Sequence, residues 1–205
     1  ANYDSPNAIW FNDGNGIFTN SGQALGSSRS NAVALGDLDG DGDIDACVAN
    51  GLGEPNVVWI NDGKGFFTST GQIFGTGFSY SIALGDLDGD EDLDVWIANE
   101  DEGNTVWKND GTGIFVNSGQ SLGSAASFSV ALGDLDGDDD LDAWVANYAG
   151  QPNAVWLNDG TGNFVHSGQS IGDNYSFQVA LSDLDGDGDM DLIFGNHNHQ
   201  YASDL

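Results

Sequence analysis

The sequence predicts an all-β protein, a β-propeller of four four-stranded antiparallel blades. First, the string Asp-Leu-Asp-Gly-Asp occurs four times at intervals of 48 or 49 residues, starting at Asp37, Asp86, Asp134 and Asp183. Second, the strings Asn-Asp-Gly-x-Gly and Gly-Gln-x-x-Gly recur in the same phase. Third, each period contains four short apolar runs and no helical period. Four strands in a unit of about 50 residues are typical of a propeller blade.

The third repeat gives the order of elements within a blade. Residues 128–133 alternate as a strand does, and 143–146 form a short apolar run after an acidic loop. Residues 153–157 predict a third strand, which ends at Asn158-Asp-Gly-Thr-Gly. Asn and Gly tolerate the positive φ angles that a tight hairpin turn requires. Residues 164–165 then begin a fourth strand.

The repeats divide a single predicted domain, residues 1–205, at 7–55, 56–103, 104–152 and 153–205. Residues 1–7 are similar to 146–153, so the sequence begins just after a second strand, and it ends just after another. Pairing of the N- and C-terminal strands would complete a fourth blade, close the ring and remove the exposed sheet edges. We therefore expect a closed four-bladed monomer. Two alternatives remain: two chains sharing an eight-bladed ring, or a piece of a longer array.

The charge excludes several classes of protein. The 205 residues carry 33 acidic and three basic side chains, a formal net charge of −30. Such a chain cannot neutralise phosphates, which argues against nucleic-acid binding and against anionic membrane surfaces. Disorder is also disfavoured, because 39% of the residues are hydrophobic and 11% are aromatic. No apolar run approaches the roughly 18 residues of a membrane span, and one cysteine excludes an intramolecular disulfide framework.

The acid is concentrated in four nine-residue loops, which hold 22 of the 33 acidic residues. Two unit charges 4 Å apart repel by roughly 4 kcal/mol at an effective dielectric of 20, so such loops need a cation. Ca²⁺ accepts six to eight oxygen ligands in flexible geometry. The lack of His and Cys ligands argues against zinc, and Mg²⁺ would use fewer carboxylates. The competing interpretation is a set of solvated acidic turns. The candidate metal residues are Asp37, Asp39, Asp41, Asp43, Asp45, Asp86, Asp88, Asp90, Asp92, Asp94, Asp134, Asp136, Asp138, Asp140, Asp142, Asp183, Asp185, Asp187, Asp189 and Asp191.

Within each loop we expect side-chain ligands from positions one, three, five and nine. By analogy with the EF-hand loop, position seven contributes its carbonyl, which leaves that side chain to solvent or a water-mediated contact. Position six is Gly42 and Gly188 in the outer repeats but Glu91 and Asp139 in the middle two. A positive φ there would strain Glu most, so the Glu91 loop is predicted to bind Ca²⁺ most weakly.

These residues resemble a known family. The segment 128–142, Phe-Ser-Val-Ala-Leu-Gly-Asp-Leu-Asp-Gly-Asp-Asp-Asp-Leu-Asp, is similar to the FG-GAP repeat of integrin α-subunit propellers and to the related VCBS repeats of bacterial extracellular proteins. The resemblance covers all four repeats. It implies Ca²⁺ in the loop between the first two strands of each blade, and a secreted or cell-surface protein acting in adhesion, as a lectin or beside polysaccharide-active enzymes. Integrin propellers have seven blades and fungal lectins of this fold also have more than four, so the sugar sites of those lectins are not carried over to this chain.

Outside the loops, no constellation of residues indicates catalysis, and we expect no enzyme activity. Asp13, Asp62, Asp110 and Asp159 are interpreted as turn formers, and Cys47 as a small core residue. His197 and His199 are interpreted as solvated or contact residues of the C-terminal tail. The recurring Trp10, Trp59, Trp107 and Trp156 are attributed to packing between blades.

The face opposite the acidic loops is the candidate ligand surface. Aromatic side chains there alternate with serines, and aromatic faces beside hydroxyl and amide groups suit carbohydrate recognition. The competing interpretation is that these aromatics pack between blades. The candidate ligand residues are Arg29, Phe78, Tyr80, Phe128, Tyr175 and Phe177.

Together these features predict an extracellular calcium-binding adhesion module, specifically a lectin that binds a glycan, or else a protein, on that face. One alternative is an enzyme or enzyme subunit acting on acidic polysaccharides, with Ca²⁺ bridging substrate carboxylates. Another is a purely structural unit of a larger surface protein. Filling all four sites with Ca²⁺ would bring the net charge from −30 to about −22.

Overall fold

A computed structural model describes residues 5–100, 102–172 and 175–197, and every regular element in these ranges is a β-strand. This part of the chain therefore contains no helix that could cross a membrane. The strands are β1 (Trp10–Asn12), β2 (Phe18–Asn20), β3 (Ser30–Gly36), β4 (Asp45–Asn50), β5 (Val57–Asn61), β6 (Phe67–Ser69), β7 (Ser79–Gly85), β8 (Asp94–Asn99), β9 (Thr105–Asn109), β10 (Phe115–Asn117), β11 (Ser127–Gly133), β12 (Asp142–Asn147), β13 (Ala154–Asn158), β14 (Phe164–His166), β15 (Tyr175–Ser182) and β16 (Asp191–His197).

The strands form antiparallel sheets in chain order. β3–β6, β7–β10 and β11–β14 are three four-stranded sheets, while β1–β2 and β15–β16 are two-stranded. The four strands predicted for the third repeat occur within one or two residues of their predicted bounds. The all-β prediction and the four-stranded antiparallel repeat are therefore confirmed.

The predicted ring closure is not shown by the described part of the chain. Among the described residues, no pairing joins β1 or β2 to β15 or β16, so the fourth blade is present as two separate halves. The inner strands follow one another as neighbours, β3 beside β7, β7 beside β11 and β11 beside β15. The two halves thus lie at opposite ends of a row of three complete blades. Residues 1–4, on which part of the closure argument rested, lie outside the described ranges.

The second strand of each complete blade forms its core. All six residues of β4, β8 and β12 are buried, and each of these strands pairs with a neighbour on both edges. Cys47 is fully buried beside Val58 and Phe115, as predicted for a core residue, and burial raises the pKa of its thiol. Trp96 of β8 meets Phe164 of the next blade edge-on at 4.6 Å between ring centroids.

Glutamine side chains clamp each blade to the next. Gln72 Nε2 donates to the carbonyl of Phe115, and the backbone N–H of Phe115 donates to Gln72 Oε1 at 2.9 Å. Gln23 clamps Gly65 and Phe67 in the same way. The glutamine of the Gly-Gln-x-x-Gly string therefore places its side-chain amide between two blades. The recurrence of the string in the sequence did not predict this role.

The hairpin turns confirm the interpretation of their aspartates as turn formers. Asp62 Oδ1 accepts the backbone N–H groups of Lys64 and Phe66, both at 3.0 Å. These bonds, the one from Phe66 first, lower the pKa of Asp62. Gly63 and Gly65 have φ angles of 73° and 82°, which the turn requires and which glycine adopts without strain.

Candidate metal centre

The four acidic loops connect the first and second strands of the repeat, that is β3 to β4, β7 to β8, β11 to β12 and β15 to β16. Position one organises each loop from inside. Asp37 Oδ1 accepts the N–H of Gly40 and its Oδ2 accepts the N–H of Gly42, both at 2.9 Å. A short polar side chain that bonds to the backbone ahead of it stabilises a tight turn. Asp86, Asp134 and Asp183 accept the equivalent pair of backbone N–H bonds in the other three loops.

Position nine anchors the loop to the sheet. Asp45 is fully buried, and its Oδ2 accepts the N–H of Leu38 at 2.9 Å. Its Oδ1 accepts the N–H of Asn61, at the end of the third strand, at 2.7 Å. Asp94 and Asp142 repeat this bridge. In the β15–β16 half, Asp191 makes the bond within its loop, from Leu184 N–H at 3.0 Å.

Carboxylate oxygens converge in every loop. Each of four triplets offers oxygen atoms that all lie within 4.8 Å of one another, close enough to share a metal ion. In the first two loops the triplet comes from positions one, three and five, and in the last two from positions one, three and nine. The triplets are Asp37, Asp39 and Asp41; Asp86, Asp88 and Asp90; Asp134, Asp136 and Asp142; and Asp183, Asp185 and Asp191.

The third and fourth predicted side-chain ligands, at positions five and nine, differ between the loops. The triplets do not include the position-nine carboxylates Asp45 and Asp94, nor the position-five carboxylates Asp138 and Asp187. The two position-nine groups already accept two backbone bonds each. Asp45 and Asp94 therefore fix the loop to the sheet, and they also add negative charge beside the triplet.

Position seven points elsewhere. A Cβ added to Gly63, in the hairpin turn of the same blade, would collide with the Asp43 carboxylate, and Gly111 and Gly160 have the same relation to Asp92 and Asp140. None of these three side chains, nor Asp189, belongs to a triplet. The position-seven side chain thus lies toward the hairpin turn, which needs glycine there to admit it.

The electrostatics of the loops favour a cation. Burial, then the charges of Asp45 and Asp41, raise the pKa of Asp39. Burial raises the pKa of Asp94 to about 6. Both raised pKa values mean that the ionised carboxylate is unfavourable in the folded loop, and a bound cation would stabilise it. In the described chain the single ion pair at these loops joins Lys108 Nζ to Asp88 Oδ2 at 3.1 Å.

Position six has a positive φ angle in all four loops. The values are 91° at Gly42, 73° at Glu91, 70° at Asp139 and 98° at Gly188. Glycine adopts this conformation freely, whereas a residue with a Cβ is strained by about 1–2 kcal/mol. The geometric premise of the expected weak site at Glu91 is therefore present.

The neighbouring blade supports each of the first two loops. Asn109 Nδ2, from the next blade, donates to the carbonyl of Leu38 at 2.8 Å, and Asn158 Nδ2 donates to that of Leu87 at 2.9 Å. Both acceptors are position two of an acidic loop. Loop geometry and blade packing are thus coupled.

The opposite end of the sheets carries a cluster of aromatic rings. Ring centroids of Tyr80 and Phe128 lie 4.1 Å apart, and Phe128 lies 5.4 Å from Phe177. Tyr148 joins this cluster at 4.6 Å from Phe128 and 4.8 Å from Tyr175. Four of the six predicted ligand residues are therefore brought together. Tyr148 was missed, although its position just after a second strand places it on the same face.

The other two predicted ligand residues lie beside this aromatic cluster. Arg29 and Phe78 line a small cleft of about 70 Å³ together with Asn31, Leu52 and Tyr80. Tyr80 is thus common to the cleft and the cluster. The cluster rings contact one another across β7, β11 and β15, so packing between blades contributes to their arrangement.

Among the histidines, His166 packs edge-on against Trp156 at 5.1 Å, and its Nδ1 accepts the N–H of Gly168 at 2.9 Å. His197 ends β16, and His199 lies outside the described residues.

Comparison with known proteins identifies the repeat family. The model of the FG-GAP-like repeat matches four times, over residues 1–48, 37–97, 86–145 and 140–194. Among solved structures, the chain is similar to the V. cholerae biofilm matrix protein Bap1, with 21% identity and a TM-score of 0.49. That similarity covers 80% of this chain and 23% of Bap1, so the chain spans less than a quarter of that protein. No curated protein matches the sequence.

Proposed function

The chain belongs to the FG-GAP-like repeat family, and on this premise we propose that it is an extracellular calcium-binding module that recognises a glycan. Calcium would be held by the acidic loops at one end of the blades. The glycan would bind at the aromatic cluster at the other end.

The observation that carries the calcium assignment is the fourfold convergence of carboxylates within 4.8 Å. All donors are hard oxygens, and the loops are turned by their own position-one carboxylates, as expected for a wrapped cation. Position one retains further lone pairs after accepting its two N–H groups, since a carboxylate has about four acceptor sites. Asp37, Asp39 and Asp41 would ligate the ion in the first loop, and the convergent triplet of each other loop would do so there.

The family and the calcium chemistry support an extracellular location. Extracellular calcium modules bind with Kd values of about 10⁻⁴–10⁻³ M, which suits a cation that holds repeats together where calcium is abundant. Chelation should then lower the melting temperature, because a ligand that binds only the folded state stabilises it. A melting curve that EDTA leaves unmoved, or calorimetry without calcium binding, would refute the assignment.

The glycan assignment is supported by the aromatic cluster. Tyr148, Tyr175 and Tyr80 offer flat apolar faces with hydroxyl groups at their edges, which is the chemistry that binds a sugar ring. The cluster and the adjoining Arg29 cleft form one continuous candidate surface through Tyr80. The role is one of binding, and it assigns no residue to catalysis.

A glycan array tests this part separately. Wild-type protein should bind at least one glycan in calcium, and Tyr148→Ala should lose most of that signal. Phe66→Ala is the matched control, because Phe66 is an exposed aromatic on a hairpin turn at the calcium end. If no glycan binds, or if Phe66→Ala and Tyr148→Ala behave alike, glycan recognition at this cluster is wrong while the calcium assignment stands.

A further inference from the structure

Lys108 places a positive charge at the second acidic loop. It is one of three basic residues in the chain, and it lies on β9, the third strand of the blade that carries this loop. Its Nζ lies 3.1 Å from Oδ2 of Asp88, at position three of the loop, and donates to the carbonyl oxygen of Thr161 at 2.6 Å. Thr161 lies in the hairpin turn between β13 and β14. One ammonium group therefore links an acidic loop to the next blade.

The other repeats show that packing does not require a charge at this place. The residue between the Trp and the Asn of the third strand is, in chain order, Phe11, Ile60, Lys108 and Leu157. At the preceding junction, a Cβ added to Gly113 would lie 3.1 Å from Ile60 Cδ1 and 3.8 Å from Asp39 Cβ. A Cβ added to Gly162 would likewise lie 2.8 Å from Lys108 Cε. An apolar side chain fills the equivalent space between blades, so the positive charge is particular to the second loop.

The two oxygens of the Asp88 carboxylate have different surroundings. Oδ2 faces Lys108, whereas Oδ1 is buried and has no hydrogen-bond partner among the described residues. In the first loop the equivalent Asp39 Oδ1 instead accepts the N–H of Asp41 at 3.3 Å. A buried carboxylate oxygen without a donor is unfavourable unless a cation lies beside it, and Asp88 belongs to the convergent triplet of its loop. Lys108 thus holds Asp88 by one oxygen and leaves the other for an ion.

The charge of Lys108 acts on this site in two ways. Without calcium, the ammonium offsets part of the repulsion within the triplet. Solvent screens the pair only partly, because the exposed fraction is 32% for the Lys108 side chain and 19% for that of Asp88. With calcium, the ammonium and the metal ion share one carboxylate, and their like charges repel. The lysine therefore stabilises the calcium-free loop relative to the calcium-bound loop.

On the premise of the proposed calcium function, we propose that Lys108 is a built-in cation of the second loop. It sets the calcium affinity of this loop through Asp88, and it ties the loop to the next blade when calcium is absent. The strain at Glu91 acts on affinity in the same direction. The second loop should therefore fill at a higher calcium concentration than the other three.

Calorimetric titration of calcium into Lys108→Met tests the effect on affinity. Met keeps most of the side-chain length without the charge, so one of the four sites should bind about tenfold more tightly than in wild type. Lys64→Met is the matched control, because it removes the same charge from an exposed hairpin turn of the preceding blade and should leave every site unchanged. A folding defect does not produce tighter binding. An unchanged or weaker site in Lys108→Met overturns the proposal.

Melting in EDTA gives a readout that does not depend on bound calcium. Lys108→Met leaves the mostly buried Asp88 carboxylate unpaired, so this variant should melt about 2–4 °C below wild type. Lys64→Met should melt with wild type. Equal melting temperatures for the two variants would contradict the tie between blades. A wild-type chain that binds no calcium refutes the proposed function and this inference together, whereas four wild-type sites with no gain in Lys108→Met refute the inference alone.

Discussion

The side chain of Gln120 is hydrogen-bonded to the backbone of Phe164, in the next blade along the chain. The backbone N–H of Phe164 donates to Gln120 Oε1 at 2.8 Å, and Gln120 Nε2 donates to the carbonyl of Gly162 at 2.7 Å. One side-chain amide therefore satisfies a donor and an acceptor of a neighbouring sheet. The ring of Phe164 also packs on Trp96 in the preceding blade. The clamp therefore fixes the strand that supplies this ring to the core of the preceding blade.

Removal of this clamp should destabilise the protein. Gln120→Ala loses two hydrogen bonds at a partly buried junction, so we expect a loss of about 1–3 kcal/mol in the free energy of unfolding. Gln151→Ala, in an exposed loop, is the control and should change it by less than about 0.5 kcal/mol. Urea unfolding measures both. Equal midpoints for the two variants would mean that the clamp contributes no stability.

The strain at position six should decide the order of calcium affinities. Glu91→Gly removes a Cβ from a residue with φ of 73°, which should strengthen that site by roughly five- to thirtyfold, given a strain of about 1–2 kcal/mol. Gly42→Glu should weaken the first site by a similar factor. Calorimetric titration of calcium into the two variants and wild type checks this. If Glu91→Gly leaves every site unchanged, the strain is not coupled to binding.

Within a single loop, substitution of a triplet carboxylate should abolish calcium binding, whereas substitution of a carboxylate outside the triplet should not. Asp39→Asn removes a convergent carboxylate of the first loop, so the bound calcium should fall from four ions to three. Asp43→Asn changes the same residue type four positions later but outside the triplet, so it should keep four ions. Atomic absorption after gel filtration in calcium gives the count. The opposite result would place the ion nearer position seven.

The buried Asp94 should give the calcium-free protein an inverted pH dependence. Its pKa in the folded state is raised by burial to about 6, from an ordinary value of 3.8. The folded protein therefore binds more protons than the unfolded one between these values. The stabilising contribution is present below about pH 4 and is lost as the pH rises through about 6.

Thermal melts in EDTA between pH 4 and 7 measure this contribution. Asp94→Asn should reduce the fall in melting temperature with rising pH relative to wild type. Asp62→Asn is the comparison, because hydrogen bonds from the Phe66 and Lys64 backbone lower the pKa of Asp62. Its contribution is lost only as the pH falls below the ordinary value of 3.8, so Asp62→Asn should leave the slope between pH 4 and 7 unchanged. Parallel profiles for wild type and Asp94→Asn would contradict the role given to burial.

The sequence alone determined the repeat, its strands and its acidic loops. These features are local: alternation sets a strand, Asn and Gly set a turn, and five Asp residues in nine positions indicate a cation. The positive φ at Glu91 was predictable for the same reason, since it follows from one loop's own backbone. The turn role of Asp62 was equally local.

Only the tertiary structure decided the relations between blades. The clamp of Gln120 on Phe164 joins residues 44 positions apart, and the meeting of Tyr80 with Phe128 depends on how neighbouring sheets lie. The missing pairing between β1–β2 and β15–β16 was likewise not predictable, because identical repeats fit a ring closed within one chain, a ring shared by two chains or a longer array. Local patterns fix each sheet through its own backbone, whereas the closure of the ring depends on the angle between sheets, which packing alone sets.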